Sequence, residues 1–255
     1  MQKIGLEIEA VFPSNTYRSK IVENYPRWEC VDDGSLYGDG AFEVRLSRPI
    51  NINELDEVLE EMNEFCVKYD ARFSDRHFTG NSDYYDDEDF DCGFHIHFGL
   101  PETYDMNNVV SLLKETRKCE DKIVELAQRE DCSWCMPTDN HFDSIDDCEH
   151  LNNDRYMGVN ITNMGSRHKN TIEFRYASAG VVFNIDHLKA YVHYLKDIWY
   201  KTMLVKSPKV VSVSYGGSNF CFQCVDNKMS NNRASNVISM LKKCGTQTKI
   251  NLVRL

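Results

Sequence analysis

The sequence has no apolar run that approaches the roughly 18 to 20 residues a membrane-spanning helix requires. Its first residues, Met1-Gln-Lys-Ile-Gly-Leu-Glu, place charge where a signal peptide has an apolar stretch. We therefore expect a protein that has no membrane partner and is not exported by that route.

Positive charge is also scarce, because 29 Lys and Arg stand against 40 Asp and Glu, for a net charge of −11. A protein that binds nucleic acid through its backbone needs a basic surface to neutralise phosphates. We expect no nucleic-acid partner. A polyanionic ligand would need bound metal ions or a local basic pocket.

The chain also lacks internal repeats, a linker rich in Pro, Gly and Ser, and a compact cysteine framework. The ten cysteines are spread over 255 residues, a length that does not need disulfides to build a core. We expect reduced thiols and a cytoplasmic location. The polar stretches 81–91 and 132–154 are expected to be long loops.

Apolar periodicity predicts a mixture of strands and helices, and therefore an α+β fold. Alternating residues predict strands at 3–12, 42–46, 93–100, 156–162 and 171–176. Apolar residues three and four apart predict helices at 53–69, at 106–129 with Asp105 as N-cap, at 186–205 and at 232–243.

Three of the predicted strands have one apolar face and one face that carries an ionisable pair, because residues i and i+2 of a strand share a face. One such strand alone is typical of the solvated face of an antiparallel sheet. Solvated faces are usually filled with Thr, Lys, Ser and Arg. Here the three faces carry two carboxylates, two imidazoles, and a carboxylate with a guanidinium, so together they indicate a functional site. The pairs are Glu7 with Glu9, His95 with His97, and Glu173 with Arg175.

The residue types of these pairs are typical of a metal and phosphate site. Carboxylates with one imidazole suit magnesium or manganese, and zinc is a weaker match because it prefers more nitrogen and sulfur. Arg175 offers a fork for phosphate or carboxylate oxygens. Asp33, in a predicted turn, and Glu43, in a predicted strand, are candidate further ligands. Taken singly, Asp33 is more simply explained by the turn.

Five sequence motifs follow one another from Gly5 to about Ala190. They are Gly5-Leu6-Glu7-Ile8-Glu9, Asp33-Gly34-Ser35 followed by Glu43 and Ser47-Arg48-Pro49, Cys92-Gly93-Phe94-His95-Ile96-His97-Phe98-Gly99, Arg155-Tyr156-Met157-Gly158-Val159-Asn160, and Asn170-Thr171-Ile172-Glu173-Phe174-Arg175. In this order they resemble the amidoligase family, which groups carboxylate–amine ligases similar to glutamine synthetase and glutamate–cysteine ligase.

The resemblance implies a curved, mostly antiparallel sheet of the glutamine-synthetase catalytic type with helices packed on one face. It also implies ATP and magnesium, with manganese as a substitute, on the open face of that sheet. By position, the resemblance assigns Glu7, Glu9, Glu43, His95, Glu173 and Asp33 to metal, Arg175, His97 and Glu173 to catalysis, and Arg155 and Asn160 to the nucleotide or substrate. Cys135-Met136-Pro137, which follows Arg129, resembles a further segment of some amidoligases and so assigns Arg129 to the nucleotide.

The expected function is ATP-dependent ligation of a carboxylate to an amine through an acyl phosphate, with small molecules or peptides as substrates. The expected domains are a catalytic domain at 1–207 and a C-terminal extension at 208–255 packed on it. Two alternatives stay open: a metal-dependent hydrolase that uses His95 and His97, and an inactive binding protein of the same fold.

Overall fold

Alternation of apolar and polar residues produces the central sheet of the protein, as seen in a computed structural model. The structure describes residues 2–36, 38–73, 92–101, 104, 106–129, 155–166, 169–204, 209–215, 218–224 and 249–251. The chain divides into two compact units, Met1–Met203 and Leu204–Leu255. The predicted loops at 81–91 and 132–154, the predicted N-cap Asp105 and the predicted helix at 232–243 lie outside the described residues.

The first unit contains a curved open sheet in which every described strand pair is antiparallel. The strands are β1 (Lys3–Val11), β2 (Trp28–Val31), β3 (Ala41–Leu46), β4 (Ile50–Asn51), β5 (Gly93–Gly99), β6 (Val159–Asn160) and β7 (Thr171–Ser178). The strand order is β2-β3-β1-β5-β7-β6, and β4 also pairs with β1.

Five α-helices are described in this unit, which confirms the α+β class. Two short 3₁₀ helices, Ile52–Glu54 and Ala179–Phe183, join strands to helices. The α-helices are α1 (Tyr17–Asn24), α2 (Leu55–Lys68), α3 (Met106–Lys118), α4 (Glu120–Ala127) and α5 (Ile185–Met203).

The core lies between the apolar face of the sheet and the helices. Ile4, Leu6 and Ile8 of β1 are fully buried and belong to one cluster with the apolar residues of α2 to α5. Phe98 of β5 stacks on Trp199 of α5 with ring centroids 4.9 Å apart. The opposite face of β1, β5 and β7 is therefore left for polar side chains.

Two predicted elements differ from the structure. The prediction of a single helix at 106–129 is wrong, because the helix is interrupted at Cys119 (φ −103°, ψ 5°), which separates α3 from α4. Gln128, with φ 52°, ends α4 in the left-handed region. The strand predicted at 156–162 forms only over Val159–Asn160.

The described residues of the second unit form β8 (Lys209–Tyr215), β9 (Ser218–Cys224) and β10 (Lys249–Asn251). These three strands pair antiparallel in the order β10-β8-β9. No helix among the described residues of the chain has the length and apolar character to cross a membrane.

Candidate metal and phosphate site

The three ionisable strand faces lie side by side in the middle of the sheet. β5 lies between β1 and β7, with Glu7 opposite His95 and His97 opposite Glu173 in the strand register. The predicted alternation in β1 is confirmed, since Ile4, Leu6, Ile8 and Ala10 are buried in the core while Glu7 and Glu9 lie on the other face.

Glu7, His95 and Glu173 form a group that could hold a metal ion. One ligand atom from each residue lies within 4.8 Å of the others. Nδ1 of His95 is 3.9 Å from Oε2 of Glu7 and 3.5 Å from Oε1 of Glu173. Two carboxylates and one imidazole form a donor set that suits magnesium or manganese.

Glu9 lies beside this group, on the Nε2 side of the His95 ring. Its Oε2 accepts the backbone N–H of Gly93 at 2.6 Å, and its Oε1 is 3.9 Å from Nε2 of His95. A Cβ atom on Gly93 would lie 2.5 Å from Nε2 of His95 and 3.2 Å from Oε2 of Glu9. Because Gly93 has no side chain, the His95 ring and the Glu9 carboxylate can both lie close to its backbone.

Glu43 is a buried carboxylate on β3, directly opposite Glu9 in the register. Burial and the nearby Glu7 carboxylate raise the pKa of Glu43 from 4.5 to about 7, even though Nη1 of Arg45 is 3.7 Å away. Burial is the larger cause of this shift and the Glu7 charge the smaller one, and a cation bound in the cavity would oppose both by stabilising the Glu43 carboxylate.

Asp33 lines the same cavity and also organises its turn. Its Oδ1 accepts the backbone N–H of Ser35 at 2.7 Å and the Ser35 hydroxyl at 2.5 Å. This is the pattern of an Asx turn, so one carboxylate oxygen is used structurally.

His97, two residues after His95 on β5, contacts the Glu7 carboxylate. Its Nε2 is 3.1 Å from Oε2 of Glu7, in a direction that does not meet hydrogen-bond geometry. Burial lowers the pKa of His97, but the carboxylates of Glu7 and Glu173 raise it by more, so the net shift is upward. Burial raises the pKa of Glu7, but contacts with His95 and His97 outweigh burial and bring that pKa well below its ordinary value.

Two residues that sequence reasoning missed complete this end of the site. Thr171 places its hydroxyl 3.4 Å from Nδ1 of His97, and Lys169 places its Nζ 3.5 Å from Oε1 of Glu7. Thr171 lies two residues before Glu173 and therefore on the same strand face, so the alternation of the strand could have identified it. Lys169 precedes the strand and has no periodic signal.

Glu173 is held on both carboxylate oxygens. Nη1 of Arg175 donates to Oε1 at 2.6 Å, and Nδ2 of Asn160 donates to Oε2 at 2.8 Å. Burial raises the pKa of Glu173, but electrostatic interactions with His95, His97 and Arg175 lower it by more, so the net pKa shift is downward. Glu173 is therefore stabilised as a carboxylate.

Two further arginines line the cavity. Arg129 is buried and its Nη1 donates to the carbonyl of Ala177 at 3.3 Å, and the guanidinium of Arg155 lies 5.0 Å from the ring centroid of Tyr156. The cavity has a volume of about 310 Å³. It brings together all the predicted site residues, namely Glu7, Glu9, Asp33, Glu43, His95, His97, Arg129, Arg155, Asn160, Glu173 and Arg175.

In comparisons with known proteins, no protein-family model matches this sequence and no similar curated protein is found. The resemblance to amidoligases therefore depends on the five motifs alone.

Proposed function

We propose that this chain is an ATP-dependent carboxylate–amine ligase with a catalytic sheet of the glutamine-synthetase type. The observation that carries the proposal is one cavity that holds both a Glu7–His95–Glu173 donor group and the guanidinium groups of Arg129, Arg155 and Arg175. Acidic metal donors beside arginines are what a site for a metal-bound polyphosphate requires.

The donor set fits magnesium or manganese. Glu7, His95 and Glu173 would hold the ion, and Glu9, Glu43 and Asp33 offer further oxygens in the same cavity. A divalent ion in the cavity would also stabilise the buried Glu43 carboxylate, whose pKa is raised by burial and by the Glu7 carboxylate. When bound, a divalent ion would withdraw charge from phosphate oxygens and orient them.

The proposed reaction has two chemical steps. The substrate carboxylate attacks the γ-phosphorus of ATP, ADP leaves, and an acyl phosphate forms. The amine then attacks the acyl carbon, inorganic phosphate leaves, and the amine loses a proton to a base. A free carboxylate does not react with an amine at neutral pH, because oxide is a poor leaving group, and phosphorylation removes this obstacle.

The protein's own cations would act on the phosphoryl group. Arg175 is held beside the donor group by its bond to Glu173, so its guanidinium is positioned to stabilise charge on the phosphoryl oxygens. Arg129 and Arg155 would bind nucleotide or substrate oxygens. His97 lines the same cavity and would face the acceptor carboxylate or the phosphate.

Calorimetric titration of ATP tests the proposal. Wild-type protein should bind ATP with magnesium and fail to bind it without magnesium, because the metal must first neutralise the acidic cavity. Glu9→Ala should not bind ATP in either condition, whereas Glu23→Ala, an exposed change on α1, should match wild type. Absence of nucleotide binding by wild type would contradict the proposal.

Turnover provides the second arm of the test. Glu9→Ala and Glu173→Ala should each abolish ATP turnover with carboxylate and amine pairs while far-ultraviolet circular dichroism stays unchanged. Wild-type turnover in either variant would overturn the assignment. Metal binding with hydrolysis of an ester or amide, in the absence of ATP, would instead support the metal-dependent hydrolase.

A further inference from the structure

Asn160 lies next to Glu173 in the sheet and donates a hydrogen bond to its carboxylate. The two are cross-strand partners in the pairing of β6 with β7. Both are buried, with 3% and 4% of their surface exposed. A buried amide and a buried carboxylate both need hydrogen-bond partners, and the bond between Asn160 and Glu173 supplies one partner to each.

The orientation of the Asn160 amide follows from its second partner, Thr162. The backbone N–H of Thr162 lies 2.9 Å from Oδ1 of Asn160, and the Thr162 hydroxyl lies 2.7 Å from the same atom. A backbone N–H can only donate, so the atom it meets must be the amide oxygen. The NH₂ group therefore points at Glu173.

This orientation fixes which oxygen of Glu173 is offered to the cavity. Nδ2 of Asn160 donates to Oε2, so Oε2 is engaged on the β6 side. Oε1 lies 3.5 Å from Nδ1 of His95 and accepts Nη1 of Arg175. Oε1 is thus the oxygen that faces the donor group.

We propose that Thr162 and Asn160 form a positioning pair that holds Glu173 with Oε1 directed at Glu7 and His95. Asn160 then acts through Glu173 and does not itself contact nucleotide. This inference depends on the proposed metal site, since it concerns how one of the ligands of that site is presented. Partners that orient a ligating carboxylate typically contribute a factor of about 10 to 100 in metal affinity.

Titration of Mn²⁺ alone, followed by electron paramagnetic resonance, tests the pair without requiring activity. Asn160→Ala should bind Mn²⁺ about 10-fold to 100-fold more weakly than wild type, because Glu173 loses the donor that orients it. Asn63→Ala is the matched control, because it removes an amide hydrogen bond of 2.7 Å, to the carbonyl of Val182, outside the cavity. That control should keep wild-type Mn²⁺ affinity.

Substitutions at Thr162 separate positioning from general packing. Thr162→Ser keeps both donors to Asn160 and should retain wild-type Mn²⁺ affinity. Thr162→Val removes the hydroxyl donor alone and should weaken Mn²⁺ binding by less than Asn160→Ala. If Asn160→Ala fails to fold, the comparison of Val with Ser at position 162 carries the test.

Two outcomes would overturn the inference in different ways. A folded Asn160→Ala protein with wild-type Mn²⁺ affinity refutes the positioning pair and leaves the metal site intact. Failure of wild-type protein to bind Mn²⁺ refutes the metal site itself, and the positioning role with it.

Discussion

Glu43 should make the metal-free protein less stable as pH rises through the neutral range. Its pKa is raised from 4.5 to about 7 by burial and by the Glu7 carboxylate. Between these two values the folded protein holds a proton that the unfolded chain has released. Stability therefore falls as pH rises from about 4.5 to about 7 and levels off above that range.

The size of the effect follows from the same two values. The difference is about 2.5 in pKa, and each unit corresponds to about 1.4 kcal/mol, which gives about 3 kcal/mol. Glu43→Gln keeps the shape of the side chain without the charge. Above pH 7 the variant should be more stable than wild type by about 3 kcal/mol, and near pH 4 the two proteins should be equally stable.

Thermal unfolding in a chelating buffer measures this difference. For a unit of this size, about 3 kcal/mol corresponds to a rise in Tm of roughly 6 to 12 °C for the variant at pH 8. Added Mg²⁺ should stabilise wild type more than the variant and so reduce the difference in Tm between the two proteins. Glu23→Gln, an exposed change on α1, is the control and should follow the wild-type pH profile. Parallel pH profiles for wild type and Glu43→Gln would refute the reasoning.

Three other substitutions have effects that the geometry predicts. Gly93→Ala would place a Cβ 2.5 Å from Nε2 of His95, so Mn²⁺ affinity should fall about 10-fold or more, and an unchanged titration would contradict this. Arg175→Met removes a positive charge, which favours Mn²⁺, and a hydrogen bond to Oε1 of Glu173, which opposes it, so ATP turnover should fall roughly 100-fold to 1,000-fold and by more than Mn²⁺ affinity changes. Equal losses of binding and turnover would speak against that separation. Gly158→Ala would place a Cβ 2.3 Å from the ring of Tyr176, and thermal unfolding should show a loss of about 1 to 3 kcal/mol. A Tm equal to that of wild type would refute the expected clash.

The sequence predicted the parts of the site that depend on local periodicity. Alternation along β1, β5 and β7 is strict, so the shared face of Glu7 with Glu9 and of His95 with His97 could be read directly. The register between strands could not be read in this way. The pairing of Glu7 with His95 depends on contacts between residues far apart in the sequence.

Elements with weak patterns were missed for a physical reason. Helix α1 (Tyr17–Asn24) buries only Ile21 among its eight residues, so it has no apolar stripe to detect. Strand β2 (Trp28–Val31) is four residues long at the edge of the sheet, which is too short for alternation to be decisive. The break at Cys119 interrupts an apolar spacing that continues on both sides of it.

Burial of β5 on both faces has a consequence for hydrogen exchange. Gly93–Phe98 are buried, and the strand is bonded to β1 on one side and β7 on the other. Its amide hydrogens should exchange with deuterium only when the whole unit unfolds, so their rate reports global stability. A ligand that binds the folded unit should slow exchange along all of β5, by a factor set by its concentration relative to its Kd.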